Sequence, residues 1–125
     1  MRLWLPVVIW ASLIFTLSSL SIPGPATQIF HYQDKLIHFL EFGMLGILLA
    51  RAVYLSGSGS RGCYWACILA AVLYGGFDEI HQLFVPGRSV ELSDFAADCI
   101  GALVCTWAWL AVKGENLILA PKTKK

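Results

Sequence analysis

The chain has 125 residues, 58% of them hydrophobic and 14% charged, with a formal net charge of +1 and a mean hydropathy of +0.69. Such a balance cannot clothe an ordinary soluble domain in charge, and its few scattered bases exclude a nucleic-acid-binding face. Lipid is the natural solvent, and the length suits one compact unit, so residues 1–125 are expected to form a single transmembrane domain.

The first apolar segment covers roughly residues 3–20 and is broken by the Ser-Ile-Pro-Gly-Pro stretch at 21–25. Arg2 ahead of an apolar run, with Ser-Leu-Ser at 19–21, also fits a cleaved signal peptide. Trp4, Trp10 and the length of the run fit a retained span better. The second segment covers about 36–55 and ends in Ser-Gly-Ser-Gly-Ser at 56–60. The third runs from about 63 to 85, where Val85-Pro86-Gly87-Arg88 reads as a turn with proline and glycine at its centre. The fourth spans about 95–112. Each is near the roughly 20 residues that a helix needs to cross the hydrocarbon core, and a helix satisfies its own backbone hydrogen bonds. The expected fold is all-α, a four-helix transmembrane bundle. The four cysteines, Cys63, Cys67, Cys99 and Cys105, lie within apolar stretches and read as small buried side chains.

If the loops alternate sides, Arg2, Arg51, Arg61, Lys113, Lys122, Lys124 and Lys125 share one side, and Lys35 and Arg88 the other. The positive-inside rule puts the larger set in the cytoplasm, so both termini are expected there.

With that topology, Asp34, Glu41, Asp78, Glu79, Glu91, Asp94 and Asp98 all fall at the outer ends of helices two to four, together with His31, His38, His81, Lys35 and Arg88. Asp34, His38 and Glu41 share a helical face, as do Asp94, Asp98 and Gly101. Helix three offers Asp78, Glu79 and Gln82, with His81 beside them. Simpler roles compete with function. Asp34 and Asp94 could cap helices, with Ser93 sharing the task; Glu91 and His31 suit solvated loops; His81 suits a helix C-terminus. Asp78 and Glu79 resist such an account, because they face the negative end of a helix dipole, and an ionisable residue within a span costs roughly 2.5–3.5 kcal/mol. The cluster His38, Glu41, Asp78, Glu79, Arg88 and Asp98 is expected to converge, with Arg88 folding back onto a carboxylate. Gly43, Gly46, Gly75, Gly76 and Gly101 would let the helices approach closely.

Asp34-Lys35-Leu36-Ile37-His38-Phe39, Asp78-Glu79-Ile80-His81-Gln82-Leu83-Phe84-Val85-Pro86-Gly87-Arg88, and Asp94 through Asp98 to Gly101-Ala102 resemble the VanZ-like family of small membrane proteins. The resemblance covers roughly residues 34–104, with Glu79, His81-Gln82 and Pro86-Gly87-Arg88 its most specific part. Many members have asparagine where this chain has Asp98. The family is named for a member linked to resistance against the glycopeptide teicoplanin. The resemblance implies a multi-pass protein of a prokaryotic plasma membrane.

Two functions stay open. One is an enzyme acting at the outer boundary on a lipid-linked or cell-envelope substrate, with His38, Glu79 and His81 as acid/base candidates. Asp34, Lys35, Glu41, Asp78, Gln82, Arg88, Asp94 and Asp98 would then bind the substrate. The other is a non-catalytic protein holding a lipid, antibiotic or partner with the same residues. Membrane lipids are the expected partners. His38, His81, Asp78 and Glu79 could supply nitrogen and oxygen ligands to a metal, but no His-Glu-x-x-His spacing supports a site and no nucleophile motif is evident, so no metal or cofactor is expected.

Overall fold

The computed structural model describes residues 2–21 and 32–115. His31, the Pro-Gly-Pro part of the first linker and the lysines at 122, 124 and 125 lie outside them. The described chain is all-α, with α1 at Leu5–Ser18, α2 at Gln33–Leu55, α3 at Arg61–Gln82 and α4 at Leu92–Val112. The last three are long and apolar enough to cross a membrane. At 14 residues, α1 is shorter than the expected 3–20 and rises about 21 Å, less than the roughly 30 Å hydrocarbon core.

The other boundaries shift for local reasons. α3 stops at Gln82 rather than near 85, because Pro86 disfavours helical backbone at the residue before it. The chain then makes a tight turn in which Arg88 N–H donates to Val85 C=O (3.1 Å), with Gly87 at φ 82°. This is the second central position of a type II turn, where glycine alone is unstrained. α2 and α4 each begin earlier than expected, and neither has a side-chain cap. Asp34 and Asp94 lie in the first turns of these helices, where their charge suits the positive dipole end as expected, but the N-cap positions fall to Tyr32 and Glu91. Ser93 departs from the capping role expected of it, since its hydroxyl donates to Glu91 Oε2 (3.1 Å). Ser60 does cap α3, accepting from the Cys63 N–H (3.2 Å).

Contacts fix the bundle's internal direction. The start of α2 and the start of α4 meet the end of α3, and the end of α1 meets the end of α3. Consecutive helices therefore run up and down. α2 packs most extensively on α4, along a seam where Gly43, Gly46 and Gly101 face Cys105, Thr106 and the Phe39 backbone. Trp10 Nε1–H donates to the Glu41 carbonyl (2.9 Å) and Tyr74 O–H to the Ala11 carbonyl (2.8 Å), which tie α1 to α2 and α3. One apolar core, with Ile14, Phe42, Leu45, Ala71 and Ala102, draws on all four helices; a second, with Ala50, Tyr64, Ile68 and Leu110, fills the far end. Large apolar side chains such as Val8, Leu40, Leu73, Ile80 and Ile100 point outward. An outward apolar face on every helix is the arrangement that a lipid solvent favours.

Candidate functional site

Between the ends of α2, α3 and α4 the interior is polar. His38, Asp78, Glu79, Gln82, Asp94 and Asp98 are all at least nine-tenths buried. His38 Nδ1 lies 2.9 Å from Asp98 Oδ1, a hydrogen bond, and 3.9 Å from Glu79 Oε1, beyond hydrogen-bond range. Among the described residues, both Glu79 oxygens and Asp98 Oδ2 lack a hydrogen-bond partner although they are buried. Gly75 makes room for this arrangement: a Cβ there would lie 2.9 Å from Asp98 Oδ2. A glycine that reads in sequence as helix packing thus seats a carboxylate between α3 and α4.

A second group lies one turn outward. Lys35 Nζ donates to Asp94 Oδ1 (2.8 Å) and Glu91 Oε2 (2.7 Å), two charge-assisted bonds that compensate the buried Asp94. Glu91 is exposed just before α4, as expected of a solvated loop residue, and is an ion-pair partner as well. Asp34 completes this layer, with ligand atoms of Asp34, His38 and Asp94 all within 4.8 Å of one another.

On α3, Asp78 and Glu79 diverge. Asp78 Oδ2 accepts from Gln82 Nε2 (3.1 Å), one helical turn on, and Gln82 Nε2 also donates to Ser18 Oγ (3.1 Å). His81 does not join His38 and Glu79. Its Nε2 lies 2.9 Å from Ser19 Oγ, and its ring lies 4.5 Å from that of Phe15. Two residues along a helix turn the side chain by about 200°, so Glu79 and His81 must face different neighbours. Adjacency in sequence suggested one acid/base set; helical geometry divides it.

Arg88 also departs from expectation. Its Nε donates to the Leu20 carbonyl (3.2 Å) and Nη2 to the Leu17 carbonyl (3.0 Å), so it closes the end of α1 instead of clamping a carboxylate. The Leu17 carbonyl also accepts from the Leu20 N–H (3.2 Å), and a guanidinium there suits the negative dipole end of α1. Glu41 is half-buried and contributes its backbone carbonyl to Trp10. Ser18, Ser19 and the terminal carbonyls of α1 were missed by sequence reasoning. The available signal was the adjacent pair of hydroxyls, Ser18 and Ser19, at the end of the first apolar run.

Beside Glu79 lies a cavity of about 280 Å³, lined also by Gly76, Val90, Glu91, Leu92 and Phe95. Glu79 thus belongs both to the cavity wall and to the group around His38. An imidazole between two carboxylates can hold and pass a proton, orient a polar group or ligate a cation.

Neither the curated proteins nor the solved structures yield a match to this chain. The VanZ/LLP1 family profile matches residues 3–113, nearly the whole of it. The three long apolar helices and the polar residues gathered at one end thus belong, with the rest of the chain, to a member of the VanZ/LLP1 family.

Proposed function

We propose that the end of the bundle around His38 receives a lipid-linked or other cell-envelope molecule, at the extracytoplasmic face of a prokaryotic plasma membrane. The observation that carries this reading is the double position of Glu79, which lines a largely apolar cavity and also faces His38. A molecule with an apolar anchor and a polar headgroup matches that combination, since Val90, Leu92 and Phe95 suit the anchor and the buried carboxylates the headgroup. In the enzymatic form, His38 and Glu79 exchange a proton with the headgroup and Asp98 orients the imidazole. In the non-catalytic form the same residues only hold it. Teicoplanin, which the resemblance links to this family, is the second ligand to set against the same residues.

Native mass spectrometry of the full chain extracted from its host membrane tests this. The wild type is expected to retain a lipid adduct that Phe95→Trp, which fills the cavity, reduces about tenfold, an effect of roughly 1.4 kcal/mol. Equal adducts on both proteins would refute the assignment. Orientation is tested separately, in a background with the four native cysteines changed to alanine. A membrane-impermeant thiol reagent on intact cells is expected to label Ser89→Cys and to spare Ser58→Cys. The opposite pattern would invert the topology.

A further inference from the structure

We propose that His38, Glu79 and Asp98 form a binding site for a divalent first-row transition cation. The three residues come from α2, α3 and α4, and their ligand atoms all lie within 4.8 Å of one another. Metal–ligand bonds of about 2.0–2.2 Å place neighbouring donors roughly 3–3.5 Å apart. The 2.9 Å and 3.9 Å separations of His38 Nδ1 from Asp98 Oδ1 and Glu79 Oε1 straddle that range, so shifts of a few tenths of an ångström suffice.

A second observation is independent of this spacing. Both oxygens of Glu79 and Oδ2 of Asp98 are buried with no hydrogen-bond partner among the described residues, and a buried carboxylate left without partners is costly. Among the described residues the fixed cations at this end are engaged elsewhere: Lys35 bonds Glu91 and Asp94, and Arg88 bonds the Leu17 and Leu20 carbonyls at and just beyond the end of α1. A divalent ion offsets two carboxylate charges and takes up the free lone pairs together.

The donor set indicates which ion. One imidazole nitrogen with two carboxylates suits Zn²⁺, Mn²⁺ or Fe²⁺, whereas Mg²⁺ and Ca²⁺ favour oxygen alone. Three protein ligands leave a coordination position open. Glu79 also lines the cavity although both its oxygens are buried, so water or an anionic headgroup oxygen reaches that position once the Glu79 carboxylate turns toward the cavity. The inference therefore deepens the reading above, and it departs from the sequence expectation of no metal. Sequence motifs record ligands along one segment; here three helices contribute one each.

The test uses the full chain in detergent, stripped with a chelator, reloaded with Zn²⁺ or Mn²⁺ and desalted. The wild type is expected to retain about one equivalent by elemental analysis, with affinity falling at least tenfold in Glu79→Gln and in Asp98→Asn and unchanged in His81→Ala. Electron spin echo measurements on the Mn²⁺ form are expected to show one coupled imidazole nitrogen, which decides the matter even if a variant misfolds. Under about a tenth of an equivalent of both ions in the wild type, or no coupled nitrogen, would overturn the proposal. Metal-free protein that still retains lipid would refute this inference and leave the previous one standing. Metal-loaded protein without lipid would do the reverse.

Discussion

Gly101→Ala is expected to lower stability by about 3 kcal/mol, the upper end of the range for over-packing. A Cβ at this position would clash with the Phe39 carbonyl oxygen and lie 3.0 Å from Phe39 Cα. Both are backbone atoms, so no side-chain rotation relieves the clash and α2 must move away from α4. Alanine is the better helix former by about 1 kcal/mol, which is too little to reverse the sign. Gly76→Ala supplies the contrast, because its Cβ would meet only Phe95 Cε2 at 3.6 Å, an ordinary contact. There the propensity gain prevails, and stability should rise by about 0.5–1 kcal/mol. Thermal unfolding in detergent reads both. A Gly101→Ala protein as stable as the wild type would show that the α2–α4 seam is looser than its geometry. The effect should reach the polar end as well, because Phe39 and Gly101 adjoin the turns that carry His38 and Asp98.

Much of this was legible in the chain. Apolar run length identified the helices, since a span must be long enough to cross lipid and must satisfy its own backbone. The i, i+4 rhythm of Asp94 and Asp98 placed them on one face, and the high cost of burying charge in a span argued that such groups should meet. His38 and Asp98 do meet. What sequence could not fix were the rotational details of α3 and the partner of Arg88. Asp78, Glu79 and His81 lie within one turn, yet Asp78 bonds Gln82 of its own helix, Glu79 faces His38 of α2 and His81 meets Ser19 at the end of α1, a division set by the angle at which α3 docks. Arg88 had carboxylates and helix-end carbonyls within reach of its turn, and only the position of α1 decides between them. The role of Gly75 beneath Asp98 was likewise invisible, because composition shows a small residue but not what occupies the space it leaves.

His38→Ala is expected to be the most damaging side-chain truncation at this end of the bundle. It would leave Asp98 and Glu79, which are 0% and 5% exposed, without the imidazole that stands between them. Removing one partner of a buried pair typically costs about 3–5 kcal/mol, because the remaining charge stays desolvated. Asp98→Asn should be milder, about 1–2 kcal/mol, since an amide oxygen can still accept a hydrogen bond from the ring. Asparagine at this position is also what the family resemblance associates with many members.

The claim that His38 and Asp98 act as a bonded pair joining α2 to α4 is tested most directly by a double-mutant cycle. Chelator-treated full-length wild type, His38→Ala, Asp98→Ala and the double variant would be compared by unfolding free energy in one detergent. A direct bond of 2.9 Å between buried groups predicts a coupling energy of at least about 1.5 kcal/mol, with the double variant losing less than the two single losses combined. Single effects that add to within about 0.5 kcal/mol would contradict the account, since additivity is the behaviour of residues that do not touch.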